Sequence, residues 1–323
     1  MTSLMEMIRE AHVGIRPQVP VTALEASPGL SAALGCDVRL KTEHLLPTGS
    51  FKIRGATNKI RVLGETARRA GVITASTGNH GQGVARAGAL ASAAVTVYVA
   101  AATARQKIDA IRALGAELVV VDGPPIEAER EARRQATVQG KPYVSPYNDL
   151  DVVAGQGTIG VELVGQAPDL DAVFVAVGGG GLIGGIGTAL KHLSPRTRVV
   201  GVWPENSPCM LRAIQAGRIV DTEERPTLSD GTAGAVEPGS VTFPICRDVI
   251  DDMITVSEAE IADALRRIAG TDRWIVEGAA GVAVAGLVKS AAAYRGRKVA
   301  AILCGRNIAL ETFLDAVGRR PTS

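Results

Sequence analysis

Short β-branched segments that alternate with helical segments constrain the fold of this chain more than any other feature. The strand-like segments carry charge only near their first residues, as strands buried on both faces of a parallel sheet do. They lie at 72–75, 94–99, 117–121, 171–177, 197–202 and 298–303. The helical patterns between them lie at 81–92, 104–114, 126–139 and 183–192. The alternation predicts an α/β fold of open, twisted, mostly parallel sheets flanked by helices.

The length of the chain and the spacing of these segments predict two lobes. A chain of 323 residues exceeds what one hydrophobic core usually serves. Three predicted strands come before residue 125, and a glycine-rich group follows residue 170, with a loop-rich stretch at 142–148 between them. We therefore expect one sheet in each lobe and a ligand site in the cleft between the lobes.

Composition excludes several classes of function. The net charge is +2 and no basic run is present, so we expect no nucleic-acid partner. The longest apolar stretches, such as 87–102, contain polar residues such as Ser92 and Thr96 and change period midway, so we expect no membrane segment. The N-terminus lacks the basic region and apolar core of a signal peptide.

The cysteines are scattered, without a Cys-x-x-Cys pair or a histidine at metal-ligand spacing. They are Cys36, Cys209, Cys246 and Cys304. A disulfide framework and a zinc site are therefore not expected, and we predict a location in the reducing cytoplasm.

Lys52 is a candidate nucleophile. It lies in the segment 50–55, Ser-Phe-Lys-Ile-Arg-Gly, directly after a Pro-Thr-Gly turn. Apolar neighbours, the adjacent Arg54 and the positive end of a starting helix would all lower the pKa of the amine and favour its neutral, Schiff-base-forming state. The alternative is a surface lysine whose stem covers a helix start.

Four consecutive glycines provide a second chemical signal. Gly178, Gly179, Gly180 and Gly181 follow the predicted strand 171–177 and precede a helix. Converging backbone N–H groups and a helix N-terminus favour phosphate binding, although a tight turn with close packing is an alternative. Residues 179–184 also satisfy Gly-x-Gly-x-x-Gly, and Glu205 follows the next strand, so a nicotinamide-dependent dehydrogenase is a second possibility.

Two further strand ends carry polar groups. Residues 76–83 follow strand 72–75, where hydroxyls and free N–H groups would bind a carboxylate and Asn79 could bond a phenolic oxygen, unless they serve only as a helix cap. Strand 298–303 brings Cys304 to the same edge, although a buried structural cysteine is the alternative.

These motifs together resemble the fold-type II pyridoxal-phosphate enzymes, above all the serine/threonine dehydratase and serine racemase branch. The chain also looks like the hydroxyectoine-utilisation dehydratases. The motifs that carry the resemblance lie at 50–56, 76–82, 154–159, 178–181 and 304–307. The resemblance implies a two-lobed fold like that of the tryptophan synthase β chain, and a homodimer. The large domain would comprise 1–49 and 149–323, and the small mobile domain 50–148.

The resemblance also implies a role for each motif, with pyridoxal 5'-phosphate as cofactor. Lys52 would form the Schiff base and act as the catalytic base, and Asn79 would bond the pyridoxal hydroxyl. The remaining cofactor contacts would come from Phe51, Gly178, Gly179, Gly180, Gly181 and Cys304, which faces the pyridine nitrogen. The substrate carboxylate would lie on the loop formed by Ser76, Thr77, Gly78 and His80.

A neutral thiol beside the pyridine nitrogen would limit delocalisation of the Cα carbanion and favour elimination. The cofactor phosphate would protonate the departing hydroxyl, so we expect an ammonia-lyase that converts a threonine- or serine-like amino acid to a 2-oxo acid and ammonia.

Arg306 occupies a position that is commonly glycine in this family. Its side chain is either a solvated charge or a group that binds an additional acidic or acyl group of the substrate. Hydroxyaspartate, hydroxyectoine-derived substrates, racemisation and a non-catalytic sensor therefore stay open.

The chain departs from the racemase pattern at two positions, which bear on racemisation and on metal binding. Thr77 replaces the serine that acts on the opposite face of the cofactor, so we expect weak racemisation. Trp203 stands where racemases present a metal-binding glutamate, so we expect no metal site, unless Glu205 substitutes. The sequence ends soon after the catalytic pattern, so we expect no regulatory domain and no feedback by an amino acid.

Overall fold

The computed structural model describes residues 2–103 and 105–318, and within them it has an α/β architecture with two sheets. The strands are β1 Leu24–Ala26, β2 Asp37–Lys41, β3 Val72–Ala75, β4 Val95–Ala100, β5 Glu117–Val121, β6 Ala172–Ala176, β7 Arg198–Pro204, β8 Asp252–Val256 and β9 Lys298–Ile302. The helices before residue 150 are α1 Leu4–Gly14, α2 Pro28–Leu34, α3 Lys52–Val62, α4 Glu65–Ala70, α5 Asn79–Leu90, α6 Arg105–Ala113 and α7 Pro125–Gln139. Those after it are α8 Leu150–Gln166, α9 Gly181–Leu193, α10 Cys209–Ala216, α11 Thr242–Val249, α12 Glu258–Thr271, α13 Gly278–Ser290 and α14 Leu310–Gly318.

The larger sheet has the strand order β1-β2-β9-β6-β7-β8. Only the edge strand β1 runs antiparallel; the other pairings are parallel. Strand β6 is buried along its whole length, which matches its unbroken apolar sequence. Helices such as α9 and α13 supply apolar side chains to the same core. This core forms the large lobe.

The smaller sheet has the order β3-β4-β5, and its strands are parallel. One apolar cluster joins it to α3 and α5, and a second joins it to α7 on its other face. The small lobe is therefore a compact three-layer unit of its own. The exact domain boundaries, 49/50 and 148/149, stay a prediction.

The α/β class and all six predicted strands are confirmed, but the strand count before residue 125 was wrong. We expected three strands there, whereas the structure has five, because β1 and β2 precede the small lobe and belong to the large sheet. Strand β2, Asp-Val-Arg-Leu-Lys, alternates charged with apolar residues instead of forming an apolar run. Strand β8 was missed for a related reason: its residues are mostly half-buried or exposed. The predicted helix at 104–114 is α6; residue 104 lies outside the described residues.

Helix α3 lies between the lobes and contacts helices from both. A Cβ on Gly155 of α8 would lie 2.5 Å from the Gly55 Cα, so only glycine allows the two helices to approach this closely. On its other side, a Cβ on Gly83 of α5 would lie 3.1 Å from the Lys52 carbonyl carbon. The position of α3 is therefore set by both lobes.

A buried ionic cluster holds α3 to the large lobe. The Arg54 guanidinium donates to Glu43 at 2.7 Å and to Glu162 at 2.6 Å, and all three side chains are buried. Lys41 donates to Glu162 at 2.7 Å. Because every charge here has an opposite partner, burial of the cluster is tolerated.

None of the helices within the described ranges is long and apolar enough to cross a membrane.

Candidate active site

A cavity of about 740 Å³ lies between the two sheets, at the carboxyl ends of their strands. Most residues that the sequence singled out line it. They are Phe51, Lys52, Ser76, Thr77, Gly78, Asn79, His80, Gly178, Gly179, Gly180, Gly181 and Cys304. Arg306 is not among the residues that line the cavity. The structure thus brings together four motifs that are far apart in the sequence.

Lys52 is the first residue of α3, and its amine is positioned in this cavity. Nζ donates to the Pro146 carbonyl at 2.9 Å and lies 5.2 Å from the centre of the Phe51 ring. Burial lowers the pKa of Lys52 to about 8, while the nearby Cys304 and Glu277 oppose that shift. Arg54 does not cause the shift, contrary to expectation, because its guanidinium is bound by Glu43 and Glu162. A substantial fraction of the amine is therefore neutral near pH 8.

The glycine run forms a tight loop between β6 and α9. Gly180 has φ = +86°, which favours glycine, and α9 begins at Gly181. A Cβ on Gly178 would lie 2.7 Å from the Thr232 carbonyl oxygen, and one on Gly179 would lie 2.5 Å from the Tyr147 ring. The Thr242 hydroxyl donates to the Gly179 carbonyl at 2.6 Å. The loop therefore presents bare backbone to the cavity, with the N–H groups of a helix start beside it.

The loop at 76–80 connects β3 to α5. The Gly78 N–H donates to the Ser76 hydroxyl at 3.2 Å, which fixes the turn. Residues 76–79 are half-buried, whereas His80 is buried and its Nε2 lies 2.9 Å from the Val144 carbonyl oxygen. Burial lowers the pKa of His80 to about 3, and Lys52 adds to that shift. The imidazole is therefore neutral and engaged by the protein.

Cys304 lies just after β9, close to Lys52. Its side chain is buried, and burial raises the pKa of the thiol well above its usual value, with a further contribution from Glu277. The backbone carbonyl of Cys304 accepts from the Phe51 N–H at 3.0 Å, which joins the end of β9 to the start of α3. The site thus contains a neutral thiol.

Glu277 is a cavity residue that sequence reasoning missed. It is the N-cap residue of α13 and is buried, with its carboxylate bonded to Asn79 and Asn307. The available signal was a lone acid immediately before Gly278–Ser290, a helix whose first ten residues are all buried. Asn307 was also missed as a site residue, although it belongs to the motif at 304–307. Tyr147 was missed as well, and its ring covers Gly179.

Arg306 is exposed, and its charge acts on His44 rather than on the cavity. Burial lowers the pKa of His44 to about 4, and Arg306 contributes to that shift. This placement favours the interpretation of Arg306 as a solvated charge.

Trp203 is fully buried within β7, and a Cβ on Gly201 would lie 2.6 Å from its ring. Glu205 does not line the cavity; one of its oxygens lies 3.9 Å from the Lys289 Nζ. Within residues 2–103 and 105–318, no group of three or more His, Cys, Asp or Glu side chains is placed to hold a metal ion.

The residues around the cavity fit pyridoxal phosphate. An amine of lowered pKa, an aromatic ring and a neutral thiol line the cavity together with the glycine loop, in which neither Gly178 nor Gly179 leaves room for a Cβ. The amine would bind the aldehyde, the loop the phosphate, and the thiol the pyridine nitrogen.

Comparison with known proteins gives the same result. A family model described as pyridoxal-phosphate dependent enzyme matches residues 15–305. The L-threonine ammonia-lyase of Thermotoga maritima is 41% identical over 304 residues, which span 94% of this chain and 75% of that protein. The processed form of threonine deaminase isoform 2 from Solanum lycopersicum superposes with a TM-score of 0.94 at 33% identity, covering 98% of this chain and 92% of that one. Maize serine racemase gives a TM-score of 0.90 at 28% identity, covering 97% and 96%.

These matches confirm the resemblance and the cofactor, and they leave the nicotinamide interpretation of residues 179–184 without support. The chain belongs to the fold-type II family of pyridoxal-phosphate dependent enzymes.

Proposed function

We propose that this enzyme is an ammonia-lyase that eliminates water from threonine or serine and releases a 2-oxo acid and ammonia. The observation that carries the proposal is Lys52, an amine with a pKa of about 8 that shares a buried cavity with the glycine loop and a neutral Cys304. The relatives named threonine ammonia-lyase and threonine deaminase support the substrate class.

Pyridoxal phosphate, when bound, supplies the electron sink for a carbanion at the substrate Cα. Lys52 would hold the cofactor, and its free Nζ would accept the Cα proton of the substrate; its lowered pKa suits this role near pH 8. The backbone and hydroxyls of residues 76–78 bind the substrate carboxylate at the start of α5. Cys304 keeps its own proton, so it would place no negative charge near the pyridine nitrogen of the bound cofactor, which would favour elimination.

The substrate alternatives differ in the charge of the side chain. Hydroxyaspartate and the hydroxyectoine-derived substrates would need a partner for their additional group, and Arg306 was the candidate. The Arg306 side chain is exposed and does not line the cavity. This placement favours substrates with a small neutral side chain, such as threonine and serine. Racemisation is a secondary activity in this proposal, because Thr77 occupies the loop position of the racemase serine.

The homodimer, the cytoplasmic location and a small domain that moves as a unit are part of the proposal. The scattered, buried, unpaired cysteines Cys36, Cys209, Cys246 and Cys304 support a reducing compartment.

The test combines a substrate panel with lysine trapping. The purified protein should carry a visible absorption band that borohydride bleaches, with the cofactor then fixed to Lys52. A panel of β-hydroxy amino acids should release 2-oxo acid fastest from threonine or serine. Lys52→Ala should lower turnover at least about 1,000-fold, because both the anchor and the base are lost.

Lys59→Ala is the matched control. Lys59 lies on the same helix, but its amine is ion-paired with Asp149 and Asp151 outside the cavity, so turnover should be retained. A colourless protein without a lysine adduct would refute the proposal, and NADH binding by such a protein would favour a dehydrogenase. A protein that binds the cofactor yet turns over none of the panel would be a sensor.

A further inference from the structure

The Asn79 side chain lies between two cavity residues from distant parts of the chain. Its Nδ2 donates to Glu277 at 2.9 Å to Oε1 and 3.0 Å to Oε2. Its Oδ1 accepts from the Asn307 Nδ2 at 2.6 Å. Asn79 begins α5 in the small lobe, whereas Glu277 and Asn307 belong to the large lobe. The three side chains therefore form one hydrogen-bonded row across the cavity wall.

The direction of this row is set by a backbone carbonyl. The Thr48 carbonyl oxygen accepts from the Asn307 Nδ2 at 2.9 Å, and a carbonyl can only accept. Asn307 must therefore present its nitrogen to Thr48, and the same nitrogen donates to the Asn79 oxygen. Reversing either amide would bring two acceptors together at hydrogen-bond distance. The nitrogen of Asn79 is consequently directed toward Glu277.

Glu277 closes the row at its other end. Its Oε2 accepts from the Asn307 N–H at 3.1 Å, and its own N–H donates to the Gly305 carbonyl at 3.1 Å. A Cβ on Gly305 would lie 2.4 Å from Oε1, so the missing side chain leaves room for the carboxylate. An ionised carboxylate only accepts, which again requires the nitrogen of Asn79 to face it.

The charge on Glu277 depends on groups from several elements. Burial raises the pKa of Glu277 to about 7, and Asp230, in the loop before α11, acts in the same direction. Hydrogen bonds from Asn79 and from the Asn307 N–H, together with the Lys52 amine, favour the ionised form. Cys304, which also lies close, is a neutral thiol. The carboxylate form is therefore favoured above neutral pH.

We propose that Glu277 and Asn307 are positioning residues that fix the Asn79 amide so that its nitrogen donates to the ring oxygen of pyridoxal phosphate. This inference rests on the proposed function, since it concerns the same cofactor. Nδ2 carries two protons that point in different directions, and the two adjacent oxygens of Glu277 share one of them. The second is left for the cofactor. A donor at this point stabilises the ionised ring oxygen over the hydroxyl, so the row sets the form in which the cofactor is held.

The test is the absorption spectrum of the bound cofactor across a pH series. Glu277→Gln keeps the side-chain length but replaces one of the two oxygens that accept from Asn79 Nδ2 by an NH2 donor, so in either orientation of the new amide a donor faces Nδ2. Asn307→Asp replaces the donor to Asn79 by an acceptor. Each variant should shift the cofactor band toward shorter wavelength, the direction of a protonated ring hydroxyl. Glu224→Gln is the control: Glu224 also lines the cavity but bonds Ser207 and the Gly234 N–H, so the band should not move.

A double-mutant comparison separates positioning from a direct effect. In an Asn79→Ala background, Glu277→Gln should cause no further shift, because its influence passes through Asn79. A shift of equal size in that background, or no shift in either single variant, would overturn the proposal. Thermal unfolding of each cofactor-free variant identifies simple loss of folding, and Asn307→Asp keeps the test available if Glu277→Gln does not fold. Failure of the proposed function would appear separately, as a parent protein without the band or the Lys52 adduct.

Discussion

The amine of Lys52 and the guanidinium of Arg54 leave the first turn of α3 toward different surroundings. Lys52 enters the cavity and bonds the Pro146 carbonyl at 2.9 Å, whereas Arg54 is buried between two carboxylates. Two cations only two residues apart therefore have separate tasks. One is available for chemistry, and the other holds the helix that carries it.

Replacing Arg54 should cost far more stability than replacing an exposed arginine. Arg54→Met removes the cation that lies between the buried Glu43 and Glu162, and we expect a loss of about 3–5 kcal/mol in the free energy of unfolding. Arg198→Ala breaks an exposed pair with Asp252 and should cost about 0–1 kcal/mol. Denaturant unfolding of the cofactor-free protein measures both. Equal losses would show that the buried cluster does not stabilise α3.

Cys304→Ser should change turnover only mildly, because a hydroxyl is also a neutral partner for the pyridine nitrogen. Cys304→Asp should protonate that nitrogen and increase side reactions relative to elimination. The new carboxylate would also lie near Glu277, so the two acids would titrate as a coupled pair. Chromatography of the products measures the ratio of elimination to side reactions. An unchanged ratio in Cys304→Asp would contradict the electronic role of this position.

Racemisation should be slow beside elimination. Thr77 lines the cavity and keeps a hydroxyl, but its methyl group restricts the side chain more than serine does. We expect Thr77→Ser to raise the racemase side activity while elimination continues. Chiral chromatography of recovered serine, in parallel with 2-oxo acid release, measures the ratio. A lower racemase rate in Thr77→Ser would count against this role of the hydroxyl.

Chelators should leave the enzyme unchanged. The racemase resemblance implies that Trp203 stands at the position of a metal-binding glutamate; its ring is buried against Gly201, and an indole provides no oxygen ligand for a cation. EDTA should therefore alter neither activity nor melting temperature, and added Mg²⁺ should give no more than a small gain. A large loss in EDTA that Mg²⁺ restores would show that Glu205 or another carboxylate binds a cation.

His80 should make the cofactor-free protein less stable in acid. The folded-state pKa of His80 is about 3, below the ordinary value of 6.5, so the unfolded chain binds more protons between these values. The His80 contribution is thus present above pH 6.5 and is lost as the pH falls toward 3. Denaturant unfolding at several pH values should show a shallower loss for His80→Gln than for the parent. Identical pH slopes would contradict the prediction.

The sequence predicted the parts of the site that follow strand ends. The glycine run, the loop at 76–80 and Cys304 follow predicted strands, so their positions at the sheet edges follow from the α/β pattern, whereas Lys52 was found from its local motif at the start of a helix. Glu277 could not be predicted in this way, because its bond to Asn79 joins residues separated by 198 positions. Strand β1 was missed because it is a short, largely exposed edge strand, and β2 because it alternates charged with apolar residues although it pairs in parallel with β9 inside the sheet.

The close packing around α3 has a consequence for how such an enzyme could be recombined with its relatives. The helix that carries Lys52 fits against Gly155 on one side and Gly83 on the other, and an added methyl group at either site would meet its backbone. A small lobe grafted from another family member would therefore fit only if it, too, leaves room for the α3 backbone where α5 contacts that helix. The two sheets have different apolar cores, but the residues of α5 and α8 that contact α3 constrain one another and would have to change together.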